Sequence, residues 1–217
     1  MREESRQKAY FAIAIAFFVI FAIFTYMVKR YDTAPVGFEG AVIGFSKLNT
    51  KVHDAFPGDS GCFKASETLG YICLLLASVN AIIALADFIK HKGIRNMHRR
   101  NILTMCYYAA VVFFYVLFEF FKINVRPVAA EASYPSSHTV LALCVLYSEF
   151  VLLGFAAERN RFWVPIFRIM CIVAMISMVV FRLLSGVHWF TDICGGIILS
   201  FSLMAFYRAS IYRFCGR

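Results

Sequence analysis

The chain has 217 residues, of which 61% are hydrophobic and 16% charged, and its net charge is +9. Soluble domains carry roughly a quarter charged residues, and a chain this short cannot bury 24 Phe and 11 Tyr in one core. The composition excludes an ordinary soluble domain and predicts a membrane protein. Because the basic residues lie between long apolar runs, they predict membrane orientation and not nucleic-acid binding.

Six apolar segments are long enough to cross a bilayer, which requires roughly 20 mostly apolar residues. We predict an all-α membrane protein without a second domain, so that residues 1–217 form a single unit. In chain order, the predicted spans cover about Ala9–Val28, Leu69–Ile89, Ile102–Phe121, Thr139–Ala157, Trp163–Leu184 and Phe190–Tyr207.

The distribution of positive charge predicts the orientation of these spans. Lys and Arg cluster in both terminal tails, in the connection Lys90–Arg100, and at Arg159 and Arg161. Six alternating spans place all four clusters on one side, which the positive-inside rule makes cytoplasmic. Both termini are therefore predicted to be cytoplasmic.

The segment 31–68 joins the first two spans on the predicted external side. It is interrupted by Gly and Pro and is too long for a plain connection. We predict an external cap, in which the apolar residues between Val36 and Leu48 form a short helix on the membrane surface.

Two shorter external segments hold reactive side chains that the spans do not explain. Ionisable groups at membrane depth are costly and tend to be functional. Their convergence on one face predicts a functional site. The candidate residues are Lys122, Arg126, Ser136, Ser137, His138, Arg182, His188 and Asp192.

These residue types suit phosphate chemistry. His188 and Asp192 are spaced to share the first turn of the sixth helix, where a carboxylate would fix the imidazole tautomer and leave the other nitrogen free to attack. Ser136 and His138 open the fourth helix, whose free N–H groups can bind an anion. Helix capping is the alternative for Ser136 and Asp192, and a snorkelling role is the alternative for the arginines.

Three motifs in this region resemble those of the type 2 phosphatidic acid phosphatase superfamily. They are Arg126-Pro127, Pro135-Ser136-Ser137-His138, and Arg182 followed by His188 and Asp192, within roughly Phe118–Tyr207. The family usually has Gly at the position of Ser137 and Ser at the position of Phe181.

The first motif departs further from the family pattern. Glu119 occupies the position of the usual family lysine, and Lys122 lies on the same helical face. We therefore expect Lys122 to take the place of that lysine.

The resemblance implies a role for each residue. His188 would be the nucleophile that forms a phosphohistidine, Asp192 would orient it, and His138 would protonate the leaving oxygen and then activate water. The family uses no metal or other cofactor. The phosphate ligands implied are Arg126, Arg182, Lys122, Ser136 and Ser137.

We therefore expect a lipid phosphatase at the outer face of the cytoplasmic membrane, hydrolysing a phosphomonoester or diphosphate head group. The partners would be the bilayer and a lipid of the undecaprenyl pyrophosphate, phosphatidylglycerol phosphate or phosphatidic acid class. A lipid phosphotransferase with the same pocket is the first alternative. A transporter and a lipid-binding protein without turnover are the others.

Overall fold

A computed structural model describes residues 2–156 and 161–216. Six of its helices, all except α2, are long and apolar enough to cross a membrane. The predicted all-α fold with six spans is confirmed. The helices are α1 Arg2–Arg30, α2 Ser46–Ala55, α3 Ser60–His91, α4 Arg99–Phe121, α5 Ser137–Ala156, α6 Trp163–Leu184 and α7 Phe190–Cys215.

The predicted span boundaries are too short at several ends. Hydropathy marks the part of a helix inside the hydrocarbon, whereas α3 begins at Ser60 and α7 continues to Cys215. Asp59 ends the loop before α3 by accepting a hydrogen bond of 2.6 Å from the Cys62 amide, as an N-cap residue does. The predicted end of the fourth span at Ala157, and also Arg159, lie outside the described residues.

The connection between α1 and α3 is shorter than the predicted cap, because 60–68 belongs to α3. The helix predicted between Val36 and Leu48 is wrong, since the helical parts of this stretch are a 3-10 turn at Phe38–Gly40 and the first residues of α2. Gly44 lies so close to the Val28 carbonyl that no side chain would fit. The chain therefore turns at the end of α1 and becomes helical only from Ser46.

α5 and α7 form the centre of the bundle. Their apolar stretches are 50% and 61% buried, against 17% for each of the other four spans. α1 packs along α7, while α3 and α6 pack against α5. The outer helices expose many large apolar side chains, which suit contact with lipid.

The two ends of the bundle differ. Tyr10 of α1 stacks on Tyr212 of α7 with 5.6 Å between ring centroids, so the described ends of the chain lie together. Thr25, near the other end of α1, is 2.7 Å from the Tyr134 hydroxyl. The loops after α4 and α6 therefore lie opposite the termini, and the cytoplasmic location of the termini stays a prediction.

A polar cluster closes the connection between α3 and α4 at the end that carries the termini. Asp87 Oδ1 lies 2.9 Å from His91 Nδ1 and 2.7 Å from His98 Nδ1. Its Oδ2 accepts hydrogen bonds from the His98 amide at 2.8 Å and from Asn101 at 2.9 Å. One buried carboxylate thus organises the start of α4.

We expect Asp87→Ala to lower the free energy of unfolding by about 2 kcal/mol, because several partly buried hydrogen bonds to one carboxylate are lost together. Unfolding in detergent would measure this. The exposed Asp54 of α2 is the control, and Asp54→Ala should change stability by less than about 0.5 kcal/mol. Equal stabilities for the two variants would show that the cluster does not support the fold.

Candidate active site

The two loops that carry the candidate residues are joined by hydrogen bonds. The Ser136 amide donates to the Asp192 carbonyl at 3.0 Å. Trp189 Nε1 donates to the Val125 carbonyl at 2.8 Å. These bonds connect the α4–α5 loop to the start of α7 and bring distant parts of the sequence into one buried site.

His188 lies just before α7, where Trp189 is the N-cap residue. The expectation that His188 shares the first helical turn with Asp192 is therefore wrong. Asp192 Oδ2 is 3.9 Å from His188 Nδ1, which is too far for a hydrogen bond. Ser133 lies between them, with its hydroxyl 3.1 Å from Nδ1 and donating to Asp192 Oδ2.

The tautomer of His188 follows from its neighbours. Nδ1 lies 3.1 Å from the Ser133 carbonyl, which can only accept, so Nδ1 carries the hydrogen. Nε2 is then unprotonated, and its lone pair accepts a hydrogen bond from Arg182 Nη2 at 3.0 Å. Burial, followed by the positive charges of Arg182 and Arg126, holds the pKa of His188 well below its ordinary value. His188 is therefore a neutral imidazole with Nε2 unprotonated.

Asp192 is fully buried and accepts from three donors, one of which is Ser133, its link to His188. Asn124 Nδ2 donates to it at 2.9 Å, and the Trp189 amide donates at 3.0 Å. Ser133 completes the set. Asn124 lies two positions before the first motif and Ser133 lies between the first two motifs, but neither was predicted from the sequence, because nothing local marks them as buried.

Arg182 is also fully buried. Besides His188, it donates to Ser66 Oγ at 3.1 Å and to Glu67 Oε1 at 2.8 Å. The same Glu67 oxygen is 3.2 Å from His138 Nε2. Sequence analysis missed Ser66 and Glu67, because it assigned them to the cap and not to α3.

His138 lies in the first turn of α5 and packs against Gly70 of α3. A Cβ at position 70 would be 2.8 Å from His138 Cδ2, so a glycine there allows the imidazole to approach α3. The contact places His138 beside the first half of α3, which also carries Glu67.

The residues of the first motif lie nearer the surface. Arg126 Nη1 is 3.4 Å from the exposed carboxylate of Glu131. Lys122 ends α4 as an exposed C-cap residue in the left-handed conformation, with φ of 40°. The phosphate-binding role of Lys122 stays a prediction.

Ser136 and Ser137 differ in their surroundings. Ser136 is fully buried, its amide donates to Asp192, and its hydroxyl accepts from Thr139 Oγ1 at 3.0 Å. The amide expected to bind phosphate therefore already has a partner. Ser137 lines a cavity beside His138 and stays a candidate ligand.

Three ring or guanidinium nitrogens in the site are buried without a hydrogen-bond partner among the described residues. They are Nε of Arg126, Nε of Arg182 and Nδ1 of His138. Buried donors that lack an acceptor are rare in folded proteins. The two guanidinium Nε atoms are donors, and together with the positive charge they suit a ligand rich in acceptor oxygens.

The sequence matches the profile of the PAP2 superfamily over residues 72–214, which is well over half of the chain. The chain belongs to the PAP2 superfamily. The membership inferred from the three motifs is confirmed.

A solved PAP2 structure has the same fold. It is the transmembrane PAP2-type phosphatidylglycerolphosphate phosphatase from Bacillus subtilis, with a TM-score of 0.62 and 17% identity. The match covers 91% of this chain and 94% of that chain. A comparison with curated protein sequences finds no match.

An apolar cavity of about 300 Å³ lies next to the candidate site, between α3, α4 and α5. Ser133 and His138 line its inner part, and Glu119 also contributes to its wall. Tyr71 and Tyr115 line it as well and are exposed on the outer surface of the bundle. The cavity thus connects the buried polar site to the lipid-facing surface.

The connection between α1 and α3 also supports the candidate site. Asn49 of α2 is fully buried and holds Thr191, donating to its hydroxyl at 2.9 Å and accepting from its amide at 3.1 Å. Thr191 is in the first turn of α7, directly before Asp192. The connection therefore fixes the start of the helix that carries Asp192.

Proposed function

We propose that this protein is an integral membrane phosphatase that hydrolyses a lipid phosphomonoester or diphosphate through a phosphohistidine at His188. The observation that carries the proposal is the state of His188: Nδ1–H donates to the Ser133 carbonyl, and Nε2 is unprotonated beside Arg182. An imidazole held in this way is prepared to attack phosphorus.

In the first step, His188 Nε2 forms a bond to phosphorus while the bond from phosphorus to the lipid oxygen breaks. Arg182 and Arg126 stabilise the charge on the other phosphoryl oxygens, and this is the main contribution that phosphoryl transfer requires from a protein. His138 gives a proton to the departing lipid oxygen. As His188 becomes positively charged, the Asp192 carboxylate stabilises it through Ser133.

In the second step, water replaces the imidazole. His138, now neutral, takes a proton from the water as its oxygen bonds to phosphorus and the bond to Nε2 breaks. Inorganic phosphate leaves, and His188 returns to its neutral form. No metal ion takes part in this scheme.

The cavity supports a lipid as the substrate. A hydrocarbon tail can occupy its apolar wall between α3 and α4 while the head group reaches His138. We propose that the site faces the outside of the cytoplasmic membrane, since the basic connections occupy the opposite end. Phosphatidylglycerol phosphate, which the Bacillus subtilis protein hydrolyses according to its name, is one candidate, together with undecaprenyl pyrophosphate and phosphatidic acid.

Phosphate release by the purified protein in detergent tests the proposal. We expect release from at least one of these three lipids, continued activity in excess chelator, and inhibition by vanadate, which resembles five-coordinate phosphorus. Phosphatidylglycerol is the control, because it has no terminal phosphate. Activity lost in chelator and restored by a divalent ion would overturn the metal-free scheme. Transfer to a second lipid without free phosphate would identify a phosphotransferase.

A further inference from the structure

Glu67 occupies a position that the proposed reaction does not explain. One of its carboxylate oxygens, Oε1, is 2.8 Å from Arg182 Nη1 and 3.2 Å from His138 Nε2. These are two of the groups proposed to act on the phosphoryl group. A single protein oxygen thus bridges the two, as an oxygen of a bound phosphate would.

The Arg182 and Glu67 side chains differ in how deeply they are buried. The Arg182 side chain is 0% exposed and is also held by Ser66 and His188. The Glu67 side chain is 28% exposed, so it reaches the site from the more open side. When an anion approaches Arg182, Glu67 is therefore the group that can move away, while Ser66 keeps the guanidinium in place.

Electrostatics also favours the replacement of Glu67 by a phosphate at Arg182. A buried arginine without a counter-ion strongly destabilises a protein, so Glu67 stabilises the site when phosphate is absent. A phosphate dianion on Arg182 supplies that counter-charge itself and repels the carboxylate. Arg126 has a comparable but more exposed partner in Glu131, at 3.4 Å.

We propose that Glu67 is a positioning residue that takes the place of a phosphoryl oxygen in the phosphate-free site and exchanges with phosphate during each turnover. The inference rests on the proposed function, because it requires Arg182 to bind phosphate. Glu67 keeps Arg182 and His138 in place for the substrate. After hydrolysis it competes with inorganic phosphate for the same donors and so favours product release.

The test is the affinity for inorganic phosphate and vanadate, measured as inhibition constants. Glu67→Gln keeps the shape and removes the charge. We expect both inhibition constants to fall on the order of tenfold, a modest effect for removing a like charge within hydrogen-bond distance. KM should fall with them, and kcat should fall as product release slows. Glu131→Gln should have a smaller effect, and Glu39→Gln, in the external connection, should have none.

Stability provides a second measurement that a purely structural role would not reproduce. Without phosphate, Glu67→Gln should unfold at a lower temperature than the wild type, and added phosphate should reduce the difference. A Glu67→Gln protein that can be purified only in the presence of phosphate would equally show that phosphate replaces the lost carboxylate. Unchanged or raised inhibition constants, a stability difference that phosphate does not alter, or a variant that cannot be purified even in phosphate would overturn the inference.

These results are distinct from a failure of the proposed function. If the wild type releases phosphate from lipid and Glu67→Gln binds phosphate no more tightly, only the role of Glu67 is wrong. If the wild type neither hydrolyses lipid phosphates nor binds vanadate, the proposed function fails and the role of Glu67 fails with it.

Discussion

Replacing His188 with alanine is expected to reduce phosphate release from every lipid substrate by a factor of about 10⁴ or more, as loss of a covalent nucleophile does in other enzymes. No other side chain of the described site has an unprotonated nitrogen fixed beside Arg182. The measurement is single-turnover phosphate release from the lipid that the wild type hydrolyses best.

His53→Ala is the matched control for this variant. His53 lies beside the site, with its ring 5.5 Å from the Trp189 ring, but it is not in the chain of contacts around His188. It should keep activity within a few fold of wild type. The His188 variant should remain folded and still bind vanadate, since Arg126 and Arg182 are unchanged. Continued hydrolysis of lipid by His188→Ala would contradict the phosphohistidine scheme.

Replacing His138 with alanine should have an effect that depends on the leaving group. For a lipid phosphate, whose leaving oxygen needs a proton, we expect turnover to fall by about 10²–10⁴-fold, the usual contribution of a general acid–base group. An activated aryl phosphate needs little protonation, so it should still phosphorylate His188. Hydrolysis of that intermediate should then be slow, and an acid-labile phosphoenzyme should accumulate from labelled aryl phosphate.

The label distinguishes this scheme from others. It should be present in His138→Ala, absent when His188 is also replaced, and located on His188 by peptide mapping. A phosphate found on Ser136 or Ser137 would assign the nucleophile differently. An equal loss of activity with lipid and aryl substrates would show that His138 does not act on the leaving group.

The spans were predictable because a helix that crosses a bilayer needs about 20 consecutive, mostly apolar residues. The segment Trp163–Leu184 has the same bounds as α6, which ends where the apolar run gives way to Ser185. α3 extends outward because Asp59 caps it, and a capping Asp before Ser60 is a signal that sequence analysis could have used. The short helix after α1 was predicted too early in the chain. Its start follows the turn at which Gly44 contacts the Val28 carbonyl, and the apolar content of 36–48 does not indicate that contact.

The residues of the site were predictable only where a motif marks them. His138, His188 and Arg182 were identified, and the structure brings them together. Ser133, Asn124 and Glu67 were missed because their partners are far away along the chain. Glu67 meets Arg182 across 115 positions, and Ser133 meets Asp192 across 59. Such contacts depend on helix packing, and in this chain no local spacing indicates them.

The cavity between α3 and α4 implies that the proposed reaction depends on the concentration of the lipid in the membrane and not on its concentration in bulk solution. Since its wall continues to the exposed side chains Tyr71 and Tyr115, a lipid can reach His138 sideways without leaving the bilayer. The encounter is then a two-dimensional diffusion process. Its rate follows the mole fraction of the substrate in the membrane, so that adding inert lipid or detergent dilutes the substrate at a constant bulk concentration. Kinetic constants for this protein therefore belong in units of surface concentration.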